Sequence, residues 1–130
     1  MLTKIDATIK YGKQHGGFGL QILYPGLVLP QLNNTGISTL GRIDHARITP
    51  GTLIPMHPHR DDEILTYLRA GKVLHRDSEG LTAIVSNQNL MMMNPGAEFQ
   101  HEELVLENGG VLEGLQIFIR PETLLRRAWT

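Results

Sequence analysis

The chain contains no cysteine. Disulfides and thiolate ligands are therefore excluded, and any bound metal has to be held by imidazoles and oxygens. A chain without thiols also fits a reducing compartment. Aromatic residues are scarce, with three Phe, three Tyr and one Trp in 130 residues, so aliphatic side chains must fill most of the core. Neither sign of charge is in excess. Twelve Lys and Arg stand against thirteen Asp and Glu, for a formal net charge of -1. That balance lacks the basic footprint of a direct nucleic-acid binder, and Arg126-Arg127 reads as surface. No apolar run approaches membrane-spanning length, and Met1-Leu2-Thr3-Lys4-Ile5-Asp6 carries no apolar signal core. The expectation is a cytoplasmic protein with no membrane contact.

What is abundant is punctuation. Fourteen glycines and seven prolines separate short segments rich in Ile, Leu, Val and Thr. That pattern predicts many short strands joined by turns, and no helical period is sustained over a long window. The expected strands are 37–49, 52–56, 63–68, 72–76, 81–85, 90–93, 98–105 and 111–119. Residues 1–35 read as an irregular arm with short extended pieces. Pro121 opens a tail, 121–130, with a short helix over 123–128. The composition and length, 41% apolar and 19% charged, suit one domain spanning 1–130. Eight or more short strands in one domain predict an all-β closed barrel or two-sheet jelly roll.

Six histidines occur, and two of them stand in His57-Pro58-His59. Residues two apart on an extended chain point to one side, so both imidazoles can reach one point. Pro58 donates no N–H, which places this segment at an edge or bulge, near a barrel mouth. About forty residues later comes His101-Glu102-Glu103, where the same spacing puts His101 and Glu103 on one face. Three imidazoles and a carboxylate suit iron, manganese, nickel, copper, cobalt or zinc, and four ligands leave positions open on an octahedral ion. Glu63 is a rival carboxylate because it shares odd parity with both histidines of the first pair. Glu102 has the wrong parity. His75, near Asp77, reads as structural, His15 as solvated, and Met91-Met92-Met93 as core. His45 and Asp44 are neighbours on a strand and so face opposite ways.

Gly51, His57-x-His59, Glu63 and Gly71 resemble the first motif of the cupin superfamily, and Pro95-Gly96 followed by His101 resembles the second. A narrower likeness is stronger. His57-Pro58-His59-Arg60-Asp61-Asp62-Glu63-Ile64-Leu65-Thr66-Tyr67-Leu68, Gly71 and His75-Arg76-Asp77-Ser78-Glu79-Gly80 resemble the pirin family, especially bacterial pirin-like proteins with quercetin 2,3-dioxygenase activity. Gly114-Leu115-Gln116-Ile117-Phe118-Ile119 resembles the strand that closes the pirin N-terminal cupin. The likeness spans about residues 40 to 120. It implies a single-domain cupin, a jelly-roll double-stranded β-helix. It also implies one divalent metal, Fe(II) first and Mn, Ni, Co, Cu or Zn as alternatives, on His57, His59, His101 and Glu103. The resemblance thus ranks Glu103 above Glu63.

The implied activity is that of a metal-dependent dioxygenase acting on a flavonol or a similar enolic or phenolic small molecule, with Glu103 as the catalytic proton acceptor. Leu65, Tyr67, Met91, Met93 and Phe99 are the expected walls of its substrate pocket. The other implied role is a non-catalytic, metal-holding, redox-sensitive regulatory module. Two departures stand out. Typical pirins carry a second barrel, and the stretch before the second histidine, usually glycine-rich, reads Gly96-Ala97-Glu98-Phe99-Gln100. A homodimer is expected to take the place of the second barrel.

Overall fold

The computed structural model describes residues 4, 11–28, 35–94, 96 and 98–121. Among these, the strands are β1 (Tyr11–His15), β2 (Phe18–Leu23), β3 (Leu40–Ile48), β4 (Leu53–His59), β5 (Glu63–Ala70), β6 (Val73–Asp77), β7 (Thr82–Val85), β8 (Met91–Met93), β9 (Phe99–Val105) and β10 (Leu112–Ile119). They form a six-stranded sheet in the order β1-β2-β3-β10-β5-β8 and a four-stranded sheet in the order β4-β9-β6-β7. Every strand pairing is antiparallel. The all-β, two-sheet jelly-roll architecture is the one expected. Each of the eight expected strands is present, shifted by a few residues at its ends. The expected helix over 123–128 lies outside the described residues.

The N-terminal segment departs from expectation. Residues 11–23 are not an irregular arm but a hairpin, with Gly16 at φ +58° in the turn and β2 paired along β3. The alternation Phe18-x-Leu20-x-Ile22 supplies an inward apolar face, which docks the hairpin on the barrel. The glycines around it obscured that period.

The large sheet turns its even-numbered residues inward on β3, β5 and β10. Asp44, Gln116 and Thr66 lie in one register row, and Ala46, Gly114 and Leu68 in the next. The small sheet turns odd-numbered residues inward on β6 and β9. Val73, His75, Phe99, His101, Glu103 and Val105 are buried there. The aliphatic core between the sheets includes Ile64, Val85, Met93 and Val105, none measurably exposed. Polar inward positions in both sheets leave one end of the barrel chemically distinct from this core.

Gly71 links β5 to β6 at φ +87°, and a β-carbon there would lie 2.5 Å from Leu112 Cα. The turn thus needs both the left-handed backbone and the bare Cα. Gly71→Ala is expected to lower unfolding free energy by at least about 2 kcal/mol, from backbone strain plus displacement of Leu112. Urea denaturation checks this, and an unchanged midpoint would contradict it.

Candidate metal centre

The register of β4 on β9 slips once. Ile54 lies opposite Glu103, but His57 lies opposite His101, so the Pro55–Met56 segment holds one extra residue. An extra residue reverses the facing of everything after it. As a result Ile54, His57 and His59 all face the interior although Ile54 and His57 are three apart. Proline at 55 and 58 is tolerated because β4 is an edge strand of its sheet.

Three imidazoles meet at this point. His57 Nε2 lies 3.1 Å from His59 Nε2 and 2.8 Å from His101 Nε2. The Nδ1 of His57 is 2.7 Å from the carbonyl oxygen of Pro55 and donates to it. In the neutral ring this leaves the His57 Nε2 lone pair facing the other two rings. Two nitrogens each about 2.1 Å from one ion, at right angles, stand about 3.0 Å apart. The spacing of the three donors therefore fits a shared cation.

Burial keeps His59 and His101 in their ligand form. Desolvation pushes His101 down to about 2, with the charges of His57, His59 and His75 adding to it. His59 falls to about 4, again mainly from burial and then from His57 and Arg42. Both are neutral at physiological pH.

Glu103 sits beside this triad rather than within it. Its carboxylate oxygen lies 3.8 Å from His101 Nδ1, on the far side of that ring from His57, and it groups with His75 and His101. Its side chain nevertheless lines the same cavity as His57 and His59. Gln116 Nε2 donates to it at 3.5 Å. Burial raises the Glu103 carboxyl from its ordinary 4.5 to about 7.

Glu63 does not join the cluster. It accepts a hydrogen bond from Asn94 Nδ2 at 3.0 Å, and it shares the outer face of β5 with Leu65 and Tyr67. The parity that made it a rival fails because residues 60–62 form a bend between strands, with Asp61 at φ +69°.

The expected pocket walls need correction. A cavity of about 190 Å³ adjoins the histidines, but neither Leu65, Tyr67, Met91, Met93 nor Phe99 lines it. Leu65 and Tyr67 lie on the outer face, where Tyr67 is 46% exposed, because the inward residues of β5 are Ile64, Thr66 and Leu68. Met91 and Met93 pack in the core. Phe99 stacks on the His101 ring, with centroids 5.7 Å apart and planes 25° apart. The walls come mainly from the large sheet instead, with Phe18, Leu20, Ile48, Leu112 and Phe118 among them.

Sequence reasoning missed the polar residues of that sheet. Arg42 and Asp44 form a two-pronged ion pair inside the cavity, and the Arg42 guanidinium lies 4.6 Å over the Phe118 ring. Their i, i+2 spacing on a strand was the available signal. His45, as expected, faces the opposite way from Asp44, towards Glu113. His75 is fully buried and bonded to Asp77, in keeping with a structural reading.

A family model described as Pirin matches residues 19–119. A pirin-like protein of Caulobacter vibrioides is 33% identical over 91 residues, covering 70% of this chain and 39% of that protein. A quercetin 2,3-dioxygenase of Escherichia coli is 37% identical over 90 residues, covering 69% of this chain and 39% of that protein. The crystal structure of YhhW from E. coli superposes with a TM-score of 0.82 at 28% identity, over 95% of this chain and 53% of that one. A second structure, of bacterial pirin YhhW in complex with nickel(II), gives a TM-score of 0.78 at 27% identity over the same shares. The chain thus spans about half or less of the length of these relatives.

The raised carboxyl has a consequence for the metal-free protein. A folded-state pKa above the unfolded one gives stability that is complete below about 4.5 and lost as pH rises through about 7. Glu103→Gln removes that loss. The variant is expected to be more stable than the parent at pH 8 by on the order of 3 kcal/mol, so that it melts at a higher temperature, and to differ little at pH 4.5. Thermal melts in chelator test it, and equal melting at pH 8 would count against a buried, charged Glu103.

Proposed function

This chain belongs to the pirin family, and we propose that it is a metal-dependent cupin that oxygenates a flavonol or a similar enolic or phenolic small molecule. The observation that carries the reading is the convergence of three imidazole nitrogens at 2.8 and 3.1 Å beside an apolar-walled cavity. His57, His59 and His101 would hold one divalent ion, and Glu103, on the adjoining cavity wall, would be the fourth ligand. Fe(II) is the proposed ion, since histidine with carboxylate and no thiolate is the donor set of non-haem iron oxygenases. Nickel is the main alternative, supported by the YhhW complex.

A divalent ion here supplies a Lewis acid that acidifies a substrate hydroxyl. The remaining steps fall to the chain. Glu103 lines the cavity and is placed to take that proton, and Gln116 steadies the carboxylate. Phe18, Leu20, Ile48, Leu112 and Phe118 exclude water and accept a flat ring. Arg42, held by Asp44, presents its guanidinium on the same wall as part of a bonded ion pair.

Protein loaded separately with iron, manganese, nickel and copper is expected to cause oxygen-dependent loss of quercetin absorbance with at least one ion. His57→Ala should lose the bound metal while keeping the fold, which elemental analysis and circular dichroism report together. Turnover with no ion, despite stoichiometric metal, would overturn the dioxygenase reading in favour of the metal-holding regulatory module. Unchanged metal content in His57→Ala would overturn the site.

A homodimer is proposed as well. Leu53, Leu104, Leu74 and Ile84 stand opposite one another across β4-β9-β6-β7 and form an outward apolar row, in which Leu53 is 50% and Ile84 55% exposed. A row crossing every strand of one sheet suits a two-fold contact with a second copy. Sedimentation equilibrium should give twice the 14.5 kDa chain mass. Ile84→Lys should give the single mass with metal content unchanged, and a monomeric parent would refute the proposal.

A further inference from the structure

The mechanism above makes no use of the buried pair His75 and Asp77, whose side chains are both fully inaccessible. His75 Nε2 lies 2.7 Å from Asp77 Oδ2. The other nitrogen of the same ring, Nδ1, lies 3.2 Å from His101 Nδ1. His101 in turn presents its Nε2 to His57 at 2.8 Å. The groups therefore form one chain, from Asp77 through His75 and His101 to the point where the three imidazoles meet.

Each link dictates the proton of the next. An ionised carboxylate can only accept, so His75 Nε2 carries the hydrogen. A neutral His75 then has a bare lone pair at Nδ1. That lone pair accepts from His101 Nδ1–H, which leaves His101 Nε2 without hydrogen and facing the cluster. A metal ligand needs this tautomer, and an outer carboxylate or carbonyl commonly selects it. His57 obtains the same result from the Pro55 carbonyl. His101 is fully buried, no backbone carbonyl among the described residues is bonded to its ring, and it obtains the same result through a second imidazole.

Asp77 is itself fixed. Its Oδ1 accepts from the backbone N–H of Glu79 at 3.0 Å and of Leu81 at 3.1 Å. The β6–β7 hairpin turn thus orients the carboxylate so that Oδ2, and not Oδ1, meets His75. Phe99 stacks along the His101 ring and limits its rotation.

We propose that His75 and Asp77 are positioning residues, which hold His101 as the Nδ1–H tautomer and so keep its Nε2 free for a cation. This rests on the metal site proposed above. The decisive variant is Asp77→Asn. Its Oδ1 remains held by the two backbone donors, so the amide nitrogen must occupy the place of Oδ2. An N–H facing His75 Nε2 forces the His75 proton onto Nδ1. His101 must then accept at Nδ1, and its proton moves to Nε2, where the cation would bind.

Two measurements test the proposal. Nitrogen-15 imidazole spectra of the metal-free protein should show His101 protonated at Nδ1 in the parent and at Nε2 in Asp77→Asn. Titration with nickel(II) against a competing chelator should show affinity lower by about 10- to 100-fold in the variant. His75→Phe, which keeps the ring volume and removes the acceptor, should lose affinity to a similar degree. A parent His101 protonated at Nε2 overturns the proposal without any variant. So does Asp77→Asn with parental affinity and a parental His101 spectrum. If the parent itself takes up no nickel, the metal site fails, and the nitrogen spectra still decide whether the pair sets the tautomer.

Discussion

The single extra residue between Ile54 and His57 determines which side chains β4 turns into the barrel. With Ile54 opposite Glu103, an unbroken ladder would set Met56 opposite His101 and turn both histidines of the 57–59 pair outward. The bulge inverts that outcome. It also brings the Pro55 carbonyl to His57 Nδ1, so the feature that aims the ring also sets its tautomer. Proline at 55 and 58 prevents β4 from donating ladder hydrogen bonds at those positions, and an edge strand tolerates this where a central one would not. Geometry, tautomer and sheet position thus have one local cause.

Desolvation then sets the chemistry of what the bulge assembles. Dry surroundings hold His59 and His101 neutral and hold the Glu103 carboxyl high, so burial works against charge at these three positions of the metal-free site. A fixed cluster of charges would be costly at this depth, whereas a set of neutral donors is tolerated until a cation arrives. The same economy appears at Arg42 and Asp44, which enter the interior only as a bonded pair, and at His75 and Asp77, buried with their hydrogen bonds satisfied. Each polar group inside this barrel is matched to a partner, and none is left unbonded among the described residues.

Strand spacing made most of this readable beforehand. The eight central strands, the His57-x-His59 pair and the inward facing of His101 follow from a period of two and from turn residues. What was not readable depends on where that period breaks. Glu63 looked eligible because parity was carried through residues 60–62, where the chain bends and Asp61 takes a left-handed backbone. Leu65 and Tyr67 suit a pocket wall by their apolar character alone, and the structure turns their even-numbered neighbours inward instead. Residues 11–23 hid a regular alternation among glycines that belong to a tight turn. Asp77 shows a different limit: the hairpin composition was evident, but nothing in spacing indicates that one oxygen holds the turn while the other reaches into the barrel.

That double use of Asp77 joins fold and site more closely than the ligands alone do. The hairpin between β6 and β7 is short and lies at the outer side of its sheet, where loops usually vary with little consequence. Here its backbone N–H groups orient a carboxylate that, through His75, reaches His101. Opposite this wall, Asp44, Gln116 and Thr66 form a second inward polar row on the large sheet. The largely apolar cavity therefore carries polar groups of different kinds on two of its walls. One wall carries the imidazoles and Glu103, and the other carries an amide, a hydroxyl and a bonded ion pair. Cation binding would make the first wall positive and leave the second unchanged. Under the proposed function, a flat molecule with an acidic hydroxyl at one edge would then be drawn to the histidine side, while the apolar side chains between the walls hold its ring.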